Sequence, residues 1–408
     1  MSPSVCRFCS APLSRTFCDL GMAPLSNAFI APAEAHRMEP FYPLHAYVCD
    51  ACFLVQIEQF ETPELIFKYY VYFSSYSDTW LAHARKFAAQ AICDFGLTAQ
   101  SLVVEVASND GYLLQYFKQA GIPVLGIEPA QNVAAAAIAK GIPTVIQFLG
   151  ASTAGKLAVE GRRADLLVGN NVFAHVHDLN DFAAGLHTML KPAGVLSLEF
   201  PHLLQLIQNT QFDTLYHEHF SYFSFATAKR VLEKHALNVF DVEELPTHGG
   251  SLRVYASRDP SRKPTPRVQA LLAREHAVGL DDSAIYASFA EQVKASKRAL
   301  LRFLIDVQEQ GKSVVGYGAP AKANTLLNYC GIRTDLIEFT VDRSPHKQGL
   351  LMPGTRIPVM HPDKIFERKP DYVLILPWNL KDEIMEQMAG VRDWGGKFVI
   401  PIPNPTIC

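Results

Sequence analysis

Short apolar, β-branched runs alternate along the middle of the chain with longer stretches whose apolar residues recur at helical spacing. Ser101 to Ala107 reads SLVVEVA and runs directly into Ser108-Asn109-Asp110-Gly111 and a helical stretch from Tyr112 to Ala120. Pro123 to Ile127, Asp165 to Gly169 and Gly194 to Phe200 are three more buried-strand runs, the last following a helix stop at Lys191-Pro192. Strand, turn and helix repeated in this order predict a doubly wound sheet. A polar, proline-rich connection, Asp259 to Pro266, follows. Beyond it the spacing predicts a helix over Ile285 to Glu309, then strands at Ser313 to Tyr317, Glu338 to Val341, Asp371 to Leu376 and Lys397 to Pro401 alternating with helices.

The expected fold class is therefore α/β in three parts. These are a cysteine-bearing N-terminal module over 1–65, a central Rossmann-like domain over 66–292 and a smaller C-terminal Rossmann-like α/β domain over 293–408. A chain of 408 residues exceeds what one ordinary core serves, which agrees with the division. Composition mainly excludes. The chain is 19% charged with a net charge of -3, so nothing in its overall electrostatics favours nucleic acid. No apolar run approaches the roughly 18 residues of a membrane span, and Met1 to Cys9 lack the basic-then-apolar order of a secretion signal. A cytoplasmic protein with no membrane partner is expected, monomeric or a small homo-oligomer.

Four of the eight cysteines form two pairs, Cys6-Arg7-Phe8-Cys9 and Cys49-Asp50-Ala51-Cys52. Two such pairs make a tetrahedral sulfur cage suited to Zn²⁺, and with four thiolates the metal is structural. Its binding contributes on the order of 10 kcal/mol to folding a module too small to hold itself together.

The turn after the first central strand has the layout of a nucleotide site. Helix N-terminal N–H groups face the ligand there, and Gly111 allows close approach. Glu128 lies about 20 residues past the turn, where an acidic side chain accepts ribose hydroxyls, with Pro129 next to it. A third strand delivers Asn170, Asn171 and then His175. Glu105 in the first strand, the Asn109-Asp110-Gly111 turn and Glu128 together resemble the class I S-adenosylmethionine methyltransferases, although Ala107 and Asn109 stand where that class usually carries glycine. A dehydrogenase of this fold would show fuller glycine spacing, and the chain has no Tyr-xxx-Lys pair of the short-chain type.

The densest chemistry is Tyr216-His217-Glu218-His219. As a helix, Tyr216 and His219 share a face; as a strand, His217 and His219 do. The first pairing is the expected one, with His219 as general base, Glu218 orienting it, and Tyr216 or His175 donating to a developing enolate oxygen. His217 and His219 are too close in sequence for a helical zinc pair.

With those residues in place, the chain resembles the sugar C-methyltransferases that act on nucleotide-linked 4-keto-deoxy sugars. The carriers are the two CxxC pairs, Leu20 to Asn27 (LGMAPLSN), Tyr70 to Ser75 (YVYFSS), the Asn-Asp-Gly turn, the Tyr-His-Glu-His run, His248 to Arg253 (HGGSLR), Gly316 to Lys322 (GYGAPAK) and Asn324 to Asn328 (NTLLN). The resemblance implies methyl transfer from S-adenosylmethionine to the carbon beside the ketone, usually C-3. It also implies a tyrosine from the segment after the cysteine module, either Tyr70 or Tyr72. It points the C-terminal domain toward the sugar's nucleotide diphosphate, with Lys322, Asn324 and Arg253 as candidate phosphate or base contacts and Asp342 and Lys347 as further candidates.

Overall fold

The computed structural model describes residues 5–63 and 73–408, so Tyr70 and Tyr72 lie outside the described residues. An antiparallel sheet follows the first cysteine pair, with β1 (Arg15–Ala23), β2 (Tyr42–Val48) and β3 (Val55–Ile57) side by side. Its fourth strand, Ser221–Tyr222, comes from the central part of the chain, with Val55 opposite Tyr222 and Gln56 opposite Ser221. The cysteine module is thus stitched to the segment that carries the Tyr-His-Glu-His run.

The central sheet has seven strands. β4 (Val103–Val106), β5 (Val124–Ile127), β6 (Thr144–Val145), β7 (Ala164–Asn170) and β8 (Leu190–Pro201) run parallel to one another, as the alternation predicted. With β9 the short Ser221–Tyr222 strand, β10 (Asn238–Leu245) and β11 (Ser251–Ser257) close the other edge as an antiparallel hairpin against β8. All four residues of β4 and of β5 are buried, which is why, Glu105 apart, they read as continuous apolar runs rather than alternating ones. The helix Asp78–Asp94 covers one face of the sheet. Ser77 caps it by accepting from the Trp80 amide, and Trp80, Ala84, Phe87, Ala88 and Ala91 form its buried stripe.

The third sheet runs β14-β13-β12-β15-β16-β17. It comprises β12 (Val314–Tyr317), β13 (Thr340–Val341), β14 (Val359–Met360), β15 (Tyr372–Ile375), β16 (Lys397–Ile400) and an antiparallel edge, β17 (Thr406–Ile407). The helix Ser283–Glu309 is continuous through residues 292 and 293, where a domain boundary was expected. Its apolar stripe packs on the first sheet, with Phe289 stacked on Phe17 at 4.5 Å, and on the third. A single apolar cluster therefore joins the N-terminal module, this helix and the C-terminal unit. Among the described residues no helix is long and apolar enough to cross a membrane.

Candidate active site

A cavity of about 970 Å³ opens where the C-terminal ends of β4, β5 and β7 meet residues of the N-terminal module and of the C-terminal unit. Ligand sites of open α/β sheets form at this edge.

At one end lies the turn after β4. Ala107, Asn109 and Gly111 all take left-handed backbone angles, with φ of 56°, 48° and 77°. The bend therefore forms without the two glycines. Alanine accepts a cost of roughly 1–2 kcal/mol there, while asparagine tolerates the region. The Asn109 side chain ties the turn down, its Oδ1 accepting from the amides of Ser74 at 3.0 Å and Asp110 at 2.9 Å. Glu128 holds the other side: Oε2 accepts from the Asn109 amide at 2.9 Å and Oε1 from the Ala130 amide at 2.8 Å. Burial pushes its carboxyl up to about 7 despite those two bonds. Glu128, Pro129, Asn170 and Asn171 line the cavity together with Trp80, Phe148 and Leu149.

At the other end a short 3-10 turn, Phe212–Thr214, delivers the Tyr216 to His219 loop. The loop is neither helix nor strand but a tight turn closed by the His219 amide on the Tyr216 carbonyl at 2.9 Å. That i, i+3 closure still pairs the two side chains, with Tyr216 Oη 2.7 Å from His219 Nε2. His219 Nδ1 lies 3.2 Å from the Thr214 carbonyl, which can only accept, so Nδ1 carries the proton and Nε2 keeps the basic lone pair. Burial first, and then the neighbouring His175, hold His219 well below the usual imidazole range. The His175 ring meets it edge-on at 4.7 Å and is itself driven down to about 4 by burial.

Glu218 lines the same wall. Burial pushes its carboxyl up to about 7, although Asn27 of the N-terminal module donates to Oε1 at 2.6 Å. His217 turns away from this wall: its Nε2 faces the Pro43 carbonyl at 3.2 Å, and its ring packs on Tyr42 and Phe60. Lys322 reaches the cavity from the C-terminal unit, donating to Asn379 Oδ1 at 2.7 Å over the Trp378 ring; burial lowers it to about 8.

The four cysteine sulfurs lie away from the cavity, all within 4.8 Å of one another. Both CxxC turns close alike: Ser10 donates to the Cys6 carbonyl and Phe53 to the Cys49 carbonyl, and both donors take left-handed φ.

Three family profiles tile the chain: a zinc binding domain over residues 6–67, a methyltransferase domain over 80–242 and a C-methyltransferase C-terminal domain over 246–403. The C-methyltransferase NovU of Streptomyces niveus is 35% identical over 406 residues, spanning 98% of this chain and 96% of that protein. The chain belongs to the C-methyltransferase family. It is an S-adenosylmethionine-dependent methyltransferase with a zinc-binding module at its N-terminus. Solved structures overlap part of the chain more loosely. The magnesium protoporphyrin IX methyltransferase of Synechocystis with bound SAH matches 44% of this chain and 83% of its own, at 18% identity and a TM-score of 0.36. The PH0226 protein of Pyrococcus horikoshii matches 48% of this chain and 99% of its own, at 14% identity and 0.38.

The residues present in this C-methyltransferase fit both groups. A tetrahedron of sulfurs about 2.3 Å from zinc has edges of about 3.8 Å. The Cys6–Cys52 and Cys9–Cys49 sulfurs stand 3.6 and 3.5 Å apart, and Gln56 donates to Cys6 Sγ at 3.2 Å as an outer partner. At the cofactor end, each Glu128 oxygen keeps a lone pair beyond its amide bond. Asn170, whose Nδ2 donates to the Tyr112 hydroxyl at 3.1 Å, leaves Oδ1 buried and, among the described residues, without a partner, as a cationic cofactor needs.

Not every expected site residue reaches the cavity. Glu105 is fully buried beside Tyr112 below the turn, and Asp110 pairs with Lys140 Nζ at 3.0 Å; both support the bend from behind, as does Gly111, where a Cβ would come within 3.0 Å of Ile142. Arg253 and Asn324, expected to contact the nucleotide, do not line the cavity. Strand alternation in β11 turns Arg253 onto Phe87 and the Glu199 carboxylate, 2.6 Å away, and Asn324 Oδ1 accepts from Asn328 one turn along its helix at 3.0 Å. Asp342 and Lys347 do line the cavity. Trp80, Asn27 and His248, which also line it, were not singled out as site residues. Asn27 and His248 lay within quoted motifs, whereas nothing in the pattern marks Trp80.

Proposed function

We propose that this enzyme methylates the carbon beside the ketone, C-3, of a nucleotide-linked 4-keto-deoxy sugar in the cytoplasm, with His219 as the base. The observation that carries the reading is the Tyr216–His219 pair. An imidazole held neutral by burial, with Nδ1 committed to Thr214, can take a proton only at Nε2, along the direction the Tyr216 hydroxyl now occupies. The C–H pair becomes the enolate double bond and charge collects on the keto oxygen. Tyr216, whose hydroxyl lies against His219, can donate a hydrogen bond there, while His175 packs edge-on against the base. Glu218, whose carboxyl burial pushes up to about 7, can add another hydrogen bond, and the family resemblance implies a further contribution from Tyr70 or Tyr72. S-adenosylmethionine supplies the electrophilic methyl group. Lys322 and Lys347 would neutralise the diphosphate.

Incubating the enzyme with S-adenosylmethionine and a panel of nucleotide-linked keto sugars, followed by mass spectrometry, tests this reading. Gain of one CH₂, with the labelled methyl located on carbon next to the ketone by NMR, is expected. Methylation only at another acceptor would replace the reading.

A further inference from the structure

The His248-Gly249-Gly250 turn between β10 and β11 is strained and heavily anchored. His248 sits at φ 54°, ψ 21°, and the two glycines follow at φ 90° and 116°. A Cβ on Gly249 would fall 2.4 Å from the Trp378 ring, and one on Gly250 would fall 2.6 Å from Gln205. Non-glycine residues keep such angles where the surroundings over-determine them. Here Thr247 donates to Glu199 at 2.9 Å, Gln211 donates to the Gly249 carbonyl at 2.7 Å, and the His202 amide donates to the Gly250 carbonyl at 3.0 Å.

What this scaffolding presents to the cavity is the His248 ring, packed on Trp80 with centroids 5.2 Å apart. Its Nε2 lies 3.1 Å from Asn171 Nδ2. An amide NH₂ only donates, so Nε2 accepts and the ring proton resides on Nδ1. Asn171 is itself left-handed, at φ 54°, with its amide on the Glu199 carbonyl at 2.7 Å, so its side chain is aimed at His248 by the backbone. Burial lowers His248 to about 4, which keeps the ring neutral at working pH. Among the described residues Nδ1 has no protein partner, and the ring lines the same cavity as His219.

We propose that His248 donates a hydrogen bond from Nδ1 to the acceptor oxygen that gains charge when His219 removes the neighbouring proton, and so is a catalytic residue of the transfer. The role presupposes the enolate route proposed for the enzyme. In that step the carbon-bound proton moves to His219 Nε2, its electron pair moves into the enolate, and His248 keeps its own proton throughout. A neutral imidazole N–H polarises a carbonyl in this way without becoming a competing acid.

Two variants separate the ring's two ends. Asparagine places its amide near the Nδ1 position and tolerates left-handed φ; glutamine reaches instead toward the Nε2 position. His248→Gln is expected to lower kcat by about 10²–10³, the loss on removing one such donor, while cofactor affinity by calorimetry stays within about twofold. Exchange of the α-proton of the keto sugar in D₂O should fall in parallel. His248→Asn should restore most of both, and ¹⁵N NMR of the wild type should show the Nδ1-protonated tautomer. Wild-type kcat in folded His248→Gln, a loss traced to cofactor affinity, or an Nε2-protonated ring would overturn the proposal while leaving the enolate route intact. If the wild type itself neither exchanges nor methylates any keto sugar, the enolate route falls and this role falls with it.

Discussion

Replacing Arg253 with methionine separates a structural from a substrate-binding role. Glu199 is fully buried on β8; burial alone would raise its carboxyl. His83 at 2.9 Å, Arg253 at 2.6 Å and Thr247 at 2.9 Å outweigh that effect and hold it at about 2 rather than the ordinary 4.5. At about 1.4 kcal/mol per pKa unit, the ionised carboxylate gains roughly 3 kcal/mol from its surroundings, and removing one partner of a buried pair typically costs about 3–5 kcal/mol. Arg253→Met should therefore destabilise the protein by about 3 kcal/mol, read as a lowered urea midpoint at pH 7. Because the folded pKa is depressed, the contribution is complete above pH 4.5 and is lost as pH falls toward 2; the variant's deficit should shrink over that window. Adding Glu199→Gln should recover part of the loss, since no buried charge is then left unpaired. A variant that unfolds at the wild-type urea concentration but shows a tenfold higher KM for the nucleotide sugar would refute the structural assignment.

Four further outcomes follow from the site. His219→Asn should abolish turnover with cofactor affinity nearly unchanged in calorimetry; retained turnover would move the base elsewhere. Tyr216→Phe removes the hydroxyl that favours neutral His219, so the acid limb of the kcat profile should move up in pH while kcat falls roughly 10²-fold, the scale of a lost oxyanion donor; an unmoved limb would uncouple the pair. Atomic absorption should find one zinc per chain, and Cys52→Ser should cost both metal and turnover, because β3 anchors the strand just after His219; an active, metal-free variant would argue against this. Ala107→Gly should leave stability within about 1 kcal/mol, relief of left-handed strain offsetting the entropy of glycine, and a large change either way would mean that the turn is held differently.

The two CxxC pairs, the parallel strands and the turn ending in Gly111 could be read in the sequence because each depends on a local period or spacing that the backbone converts directly into geometry. Tyr216 and His219 belong here too, since three residues of separation bring them together in a tight turn as they would in a helix. Contacts between distant segments carry no such signature. The same run contains His217, which the N-terminal module claims, and Glu218, which receives Asn27 from 191 residues away. Arg253 looks like a phosphate ligand until β11 is registered against β8 and its side chain meets Glu199. His248 gains a role only once the β10–β11 turn is packed beside Asn171. Periodicity specifies which face of an element is buried, but what that face meets is decided when the three sheets pack around one cavity, because hydrogen-bond partners and desolvation exist only in the assembled fold.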